Sequence, residues 1–139
     1  MSARTGKQYV EGLRDDRVVW LGNQKVDVAT HPAFAGSVAG MAGYFDWQNQ
    51  HADECLVPDP QTGKPMSASL IVPRNADDLR RRRIAFERFA HYSEGMLGRT
   101  PDYLNVALAG FVARSDIFTS KGDTGFAELT HAVVELLEP

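Results

Sequence analysis

The sequence predicts a mainly helical fold with one small β-hairpin, and three observations carry that reading. Apolar residues recur three and four apart, most regularly at Leu104, Leu108, Phe111 and Val112. Helix-start residues stand ahead of such stretches at Thr5, Thr30, Asn75 and Thr100-Pro101. Only "RVVWLGNQKVDV" reads as a pair of strands joined by a tight turn. At 139 residues the chain is expected to be a single domain, residues 1–139. A hydrophobic share of 43% with 24% charged residues fits a globular protein and not a disordered one.

Taken in order, Thr5 caps a short helix over Gly6–Leu13, with Tyr9 and Leu13 on one face. The hairpin follows and turns at Gly22-Asn23, which tolerate positive φ. "THPAFAGSVAGMAGYFDW" is predicted as a helix capped by Thr30, with Pro32 in its first turn. Phe34, Val38, Met41 and Phe45 make its apolar face, and the small residues from Ala35 to Gly43 let another element approach closely. Pro58, Pro60, Gly63 and Pro65 predict loop or extended chain over Gln48–Ser69, and "SLIVP" a short strand. Asn75 caps the next helix, Asp77 and Asp78 favour its dipole, and Gly95 and Gly98 end it. Leu79, Ile84, Phe86, Phe89 and Ala90 are expected to be its apolar side. Pro101 opens a further helix, and Phe126–Glu138 is the last.

The totals exclude several functions. A net charge of −3 gives no global attraction to nucleic acid or an anionic membrane. The run Arg80–Arg83 spreads around its helix instead of forming a stripe, and Asp77 and Asp78 are placed to pair with Arg81 and Arg82. A solvated or inter-domain face is expected there. His31, His51, His91 and His131 show no HxxxH pairing, and the single Cys55 forms neither an internal disulfide nor a Cys-rich centre, so no metal site is expected. His31 reads as a capping or packing residue, and Trp20 and Trp47 as core or inter-domain contacts. Asp53, Glu54 and Cys55 fall in the loop region without an evident partner arrangement, and nothing suggests a Ser/His/Asp triad. The first residues lack the apolar core of a signal peptide, and the run Val106–Ala113 is far too short to span a bilayer, so a cytoplasmic protein is the expectation.

The stretch "MLGRTPDYLN" carries the chemistry. Pro101 keeps Thr100 out of helical geometry, so Arg99 lies outside the helix and can fold back over its start. Unpaired N–H groups and the helix dipole make that end electropositive, and Arg99 adds a full charge. The place suits an anion, or a neutral group becoming one. Tyr103 stands on the first turn, followed at +4 and +7 by Ala107 and Gly110, a strip without bulk. Spacing alone also allows the commoner structural role, with Arg99 solvated or paired to Asp102 and Tyr103 packing by its ring.

"RTGKQYVEGLRDDRVVWLGNQKVDVATHPAF", "GYFDWQNQ", "IVPRNADDLRRRRIAFERFA" and "GMLGRTPDYLNVALAGF" together resemble the N-terminal part of the 4-hydroxyphenylacetate 3-monooxygenase oxygenase-component family. That family also includes 4-hydroxybutanoyl-CoA dehydratase. The resemblance runs in order from about Arg4 to Phe111 and resumes at "ELTHAVV". It implies the N-terminal helical domain of an acyl-CoA-dehydrogenase-like fold, without the β middle domain and C-terminal bundle. It implies reduced FAD from a separate flavin reductase, and oxygen inserted beside the hydroxyl of a phenolic substrate. In the family, an arginine and a tyrosine of a GR-x-PDY motif and a histidine of an L-T-H-A motif contact that hydroxyl. They match Arg99, Tyr103 and His131. The chemistry is coherent, because a phenol with a pKa of about 10 reacts better as phenolate, and a neutral histidine can take its proton.

The dehydratase branch, as the resemblance implies, has cluster-ligating cysteines where this chain has Arg99 and Tyr103, so the hydroxylase branch is favoured. Between Phe118 and Leu129 the chain is shorter than the family pattern, which leaves a surface histidine as the other reading of His131. No nucleotide-cradling glycine motif appears, so FAD is not expected to bind these residues alone, and the chain alone is expected to be inactive without a complementing polypeptide. The alternative is a non-catalytic interaction or assembly domain derived from the family. In either case the uncovered small-residue face and hairpin edge are expected to give homo-oligomers or marginal stability.

Overall fold

The structure, a computed structural model, describes residues 3–96, 101–119, 125, 127–129 and 132. Helix α1 (Gly6–Gly12) starts in the predicted way. Thr5 and Gln8 form a reciprocal capping box, the Gln8 N–H donating to Thr5 Oγ1 at 3.2 Å and the Thr5 N–H to Gln8 Oε1 at 2.8 Å. Strands β1 (Val19–Leu21) and β2 (Gln24–Val26) pair antiparallel, Leu21 opposite Gln24, which leaves Gly22 (φ +59°) and Asn23 as the turn.

The cap ahead of α2 (Ala35–Gln50) is not the predicted Thr30 but His31, which the sequence also reads as a capping or packing residue. The Thr30 hydroxyl donates to Asp27 at 3.0 Å, and it is His31 Nδ1 that accepts from the Ala33 N–H at 3.2 Å, opening a 3-10 turn over Pro32–Phe34. The cap belongs to His31 because Asp27 has already claimed Thr30. The deepest residues of α2 are Tyr44 and Gln48, while Phe34, Val38, Met41 and Phe45 are half-buried. The small residues do admit neighbours. Gly6 lies so close to α2 that a Cβ would collide with the Ala42 carbonyl oxygen, and its N–H donates to Asp46 at 2.8 Å.

Gln48–Ser69 is not simply loop. Helix α2 continues to Gln50, α3 (Ala52–Cys55) follows, and β3 (Leu56–Pro58) pairs antiparallel with β4 (Pro65–Ser67), so the described residues form two hairpins and not one. The prolines are tolerated because Pro58 faces Pro65 at the end of the ladder, where a missing N–H costs little. Asp59 closes the intervening loop, accepting from the Gln61 and Thr62 N–H groups at 2.9 and 3.1 Å. "SLIVP" is not a strand either: Ala68–Leu70 form a buried 3-10 turn capped by Ser67.

Helix α4 (Ala76–Ser93) is capped as predicted, Asn75 Oδ1 accepting from Asp77 and Asp78 N–H at 2.9 Å each. Glu94 and Gly95 end it with positive φ, and the Gly95 N–H returns to the Ala90 carbonyl at 3.0 Å. Its inner face is rotated from the predicted one. Ala85 and Phe89 are buried with Phe86 and Tyr92 against them, whereas Leu79, Ile84 and Ala90 are exposed. Arg88 explains the rotation: it makes a two-pronged ion pair with Glu54 of α3, and its carbonyl accepts from the Trp47 indole N–H at 3.1 Å. Glu54 and Cys55 thus have structural roles that the loop reading missed. The arginine run also pairs differently, Arg80 with Asp77 and Arg83 with Glu87, while Arg82 lies over the Phe86 ring. Asp78 instead accepts from the Arg74 N–H at 2.9 Å.

The core sits between α2, α3, α4 and the second hairpin, and joins Tyr44, Cys55, Val57, Met66, Leu70 and Phe89. The Tyr44 and Phe89 rings are 4.7 Å apart between centroids. Trp47 is a core-edge contact, but Trp20 is 61% exposed. Helix α5 (Pro101–Ala113) and a 3-10 turn (Ser115–Phe118) complete the described body. Of the last predicted helix, residues 127–129 and 132 are helical, and the rest lies outside the described residues. Among the described residues no helix is long and apolar enough to cross a membrane.

Two consequences are measurable. Gly6→Ala forces a methyl group against backbone and should destabilise the fold by about 1–3 kcal/mol in denaturant titration; an unchanged midpoint would remove the contact between α1 and α2. The Arg88 guanidinium bonded to Glu54 holds its carboxyl below the ordinary 4.5. That stabilisation is complete above the ordinary value and is lost as pH falls through the lowered one. Glu54→Gln should therefore lower the melting temperature near neutrality and flatten its decline below a pH of about 4.5. Melting curves across that window check it, and an unaltered slope would contradict the pairing.

Candidate functional site

Of the three residues expected at the site, Tyr103 is described, whereas Arg99 and His131, like the cap Thr100, lie outside the described residues. Pro101 is the first residue of α5, as the sequence predicts, and Tyr103 stands on the first turn, 64% exposed.

The rotation of α5 was not legible. The apolar periodicity predicts that Leu104, Leu108, Phe111 and Val112 face the body. In the structure Ala109 is buried and Asn105, Leu108 and Val112 are half-buried, while Leu104 is 61% and Phe111 40% exposed. Two features decide this. Asn105 Nδ2 donates to Ser69 Oγ at 2.9 Å, and Ser69 is fully buried in the Ala68–Leu70 turn. Ala109 is small enough to let α5 approach that turn, which Leu104 is not. At roughly 100° per residue, Tyr103 lies about 160° around the helix from Asn105, with Ala107 and Gly110 beside it. The bulk-free strip therefore faces away from the Ala68–Leu70 turn. A Cβ built on Gly110 would meet nothing within 4 Å, so a flat ring system has room there. Phe111 is instead held by an edge-on contact with Phe118, centroids 5.2 Å apart.

Sequence reasoning missed Asn105, Ser69 and Ser67. The available signal was Asn105 itself, an amide inside an otherwise apolar helical run, which needs a partner if it faces inward.

A cavity of about 570 Å³ lies between the second hairpin, the start of α4 and α5, with Asp59, Arg74, Asp78, Arg81 and Val112 in its wall. Tyr103 does not line it. The Thr62 hydroxyl bonded to Asp59 holds its carboxyl below the usual range, so Asp59 is a fixed anion in that wall and not a proton donor. Burial pushes the Cys55 thiol up to about 11, which leaves it protonated near neutrality and unsuited to nucleophilic or ligand chemistry. Among the described residues no three His, Cys, Asp or Glu side chains group as a metal site. What the outward strip offers is a phenolic O–H that can donate and accept beside an uncrowded face.

The model of the family described as 4-hydroxyphenylacetate 3-hydroxylase N terminal matches residues 5–137. The oxygenase component of 4-hydroxyphenylacetate 3-monooxygenase from a Geobacillus species is 39% identical over 130 residues, 92% of this chain and 26% of that protein. Its counterpart from Thermus thermophilus is 36% identical over 118 residues, 84% of this chain and 24% of that protein. A crystal structure of such an oxygenase component, complexed with FAD and 4-hydroxyphenylacetate, superposes with a TM-score of 0.85 at 34% identity, covering 97% of this chain and 28% of that one. The chain thus spans about a quarter of the length of these relatives. Agreement over almost all of its residues, in sequence and in fold, means that the chain belongs to the 4-hydroxyphenylacetate 3-hydroxylase N-terminal family.

Proposed function

We propose that these residues form the substrate-side N-terminal domain of a two-component, reduced-FAD-dependent phenol hydroxylase of acyl-CoA-dehydrogenase-like fold. Arg99, Tyr103 and His131 meet the substrate hydroxyl in this reading. The observation that supports it best is Tyr103 standing clear on α5, beside Ala107 and Gly110, in a chain so similar to a relative complexed with FAD and 4-hydroxyphenylacetate.

The roles follow from the chemistry of each group. Tyr103 hydrogen-bonds the phenol oxygen and sets its direction. His131, as neutral imidazole, takes the phenol proton, and Arg99 with the α5 N-terminus holds the charge left behind. Bound FAD, reduced by a separate flavin reductase, supplies the activation of O2. The open space at Gly110 leaves room for a flat ring, but the phosphates of FAD find no glycine-rich cradle among the described residues. The chain by itself is therefore proposed to be inactive, with the remaining length of the family's proteins, or a complementing polypeptide, completing the site. A cytoplasmic homo-oligomer belongs to the same reading.

The exposed Val18, Trp20 and Leu21 of the first hairpin favour one second reading, a non-catalytic assembly domain. Titration with 4-hydroxyphenylacetate separates the two. The first reading expects Tyr103 and His131 resonances to move at millimolar ligand, whereas self-association in sedimentation without any such movement supports the second. In an assembly that turns over, Tyr103→Phe should lower kcat/KM by about tenfold or more, the cost of one hydrogen bond to a developing charge; an unchanged value would remove Tyr103 from the site.

A further inference from the structure

We propose that Asn105, acting through Ser69 and Ser67, is the positioning residue for Tyr103; this rests on the reading of Tyr103 as a substrate contact. The three side chains form a hydrogen-bonded relay. Asn105 Nδ2 donates to Ser69 Oγ at 2.9 Å, and Ser69 Oγ lies 2.8 Å from Ser67 Oγ. With a lone pair taken by the amide, the Ser69 hydroxyl can give its own proton to Ser67. The anchor is rigid because Ser69 is fully buried between Ala68 and Leu70, both core residues.

Geometry couples this anchor to the site. Asn105 and Tyr103 stand two residues apart on one helix, so they project to nearly opposite sides. Fixing Asn105 inward fixes Tyr103 outward. Hydrophobicity alone would choose another setting, since a turn of the helix that buried Leu104 and Phe111 would hide more apolar surface. The amide opposes that turn: rotating Asn105 away costs the buried Ser69 Oγ one of its two hydrogen-bond partners and leaves it only Ser67. The relay therefore holds α5 in the setting that presents Tyr103, Ala107 and Gly110.

The test uses the 139-residue chain with its four tyrosines replaced by 3-fluorotyrosine, the Tyr103 resonance being assigned from Tyr103→Phe. Without ligand, Ser69→Ala and Asn105→Leu should each shift the Tyr103 fluorine signal while leaving those of Tyr9 and Tyr44 in place. Asn105→Asp should return it, since a carboxylate accepts from the Ser69 hydroxyl. Trp47→Phe, which removes the remote bond to the Arg88 carbonyl, serves as the control for mere destabilisation. A Tyr103 signal unmoved in both variants, or moved equally by Trp47→Phe, would overturn the proposal. Should Ser69→Ala not fold, the comparison of Asn105→Leu with Asn105→Asp carries the same test. With 4-hydroxyphenylacetate added, the two variants should bind roughly threefold to tenfold more weakly than the parent at a temperature where circular dichroism shows all folded. Equal affinity in all three would also overturn the proposal. A parent chain without any response to the phenol would instead defeat the functional reading, while the ligand-free shifts still decide whether Asn105 sets the helix.

Discussion

The structure depends on the crossing of α2 and α4 at Tyr44 and Phe89. Their rings supply much of the buried apolar volume, and Cys55, Val57, Met66, Ala68, Leu70 and Ala85 fill the core around them. What makes the crossing specific is the set of polar bonds around it. The Tyr92 hydroxyl donates to the Gly40 carbonyl at 2.8 Å, the Trp47 indole to the Arg88 carbonyl, and the Arg88 guanidinium to Glu54. Gly43 makes the first of these possible, because a side chain there would occupy the place of the Tyr92 ring end. Aromatic surface supplies the attraction, and the directional bonds select one crossing among those that hydrophobic packing alone would tolerate.

The orientation of α5 descends from that core by a short path. Ala68 and Leu70 are core residues, so the turn that carries Ser69 cannot rotate independently of the crossing. Asn105 joins α5 to that turn, and Ala109 lets the two approach. The arrangement exposes Leu104 and Phe111, an unfavourable choice by area alone. In the proposed function the exposed strip serves substrate binding, so local stability and function diverge there.

Membership of the hydroxylase N-terminal family rests on a match across residues 5–137 and on a shared fold, not on one motif. The relatives are about four times as long as this chain. In the proposed function Arg99, Tyr103 and His131 hold the phenol and its charge. In the same reading the oxygen chemistry belongs to the flavin.

The sequence by itself determined the helical class, the first hairpin with its Gly22-Asn23 turn, the caps at Thr5 and Asn75, and the start of α5 at Pro101. These are local matters, settled by backbone conformation and by side chains reaching three residues or fewer. The chain-long family likeness was also legible, because several long stretches matched in order. Tertiary structure alone decided the rest. The second hairpin hid behind prolines that only a partner strand could excuse. The inner face of α4 turned toward Arg88 because Glu54, thirty-four residues earlier, offered a carboxylate. The outward face of α5 was fixed by a buried hydroxyl thirty-six residues away, and periodicity has no means of registering a hydrogen bond to so distant a serine.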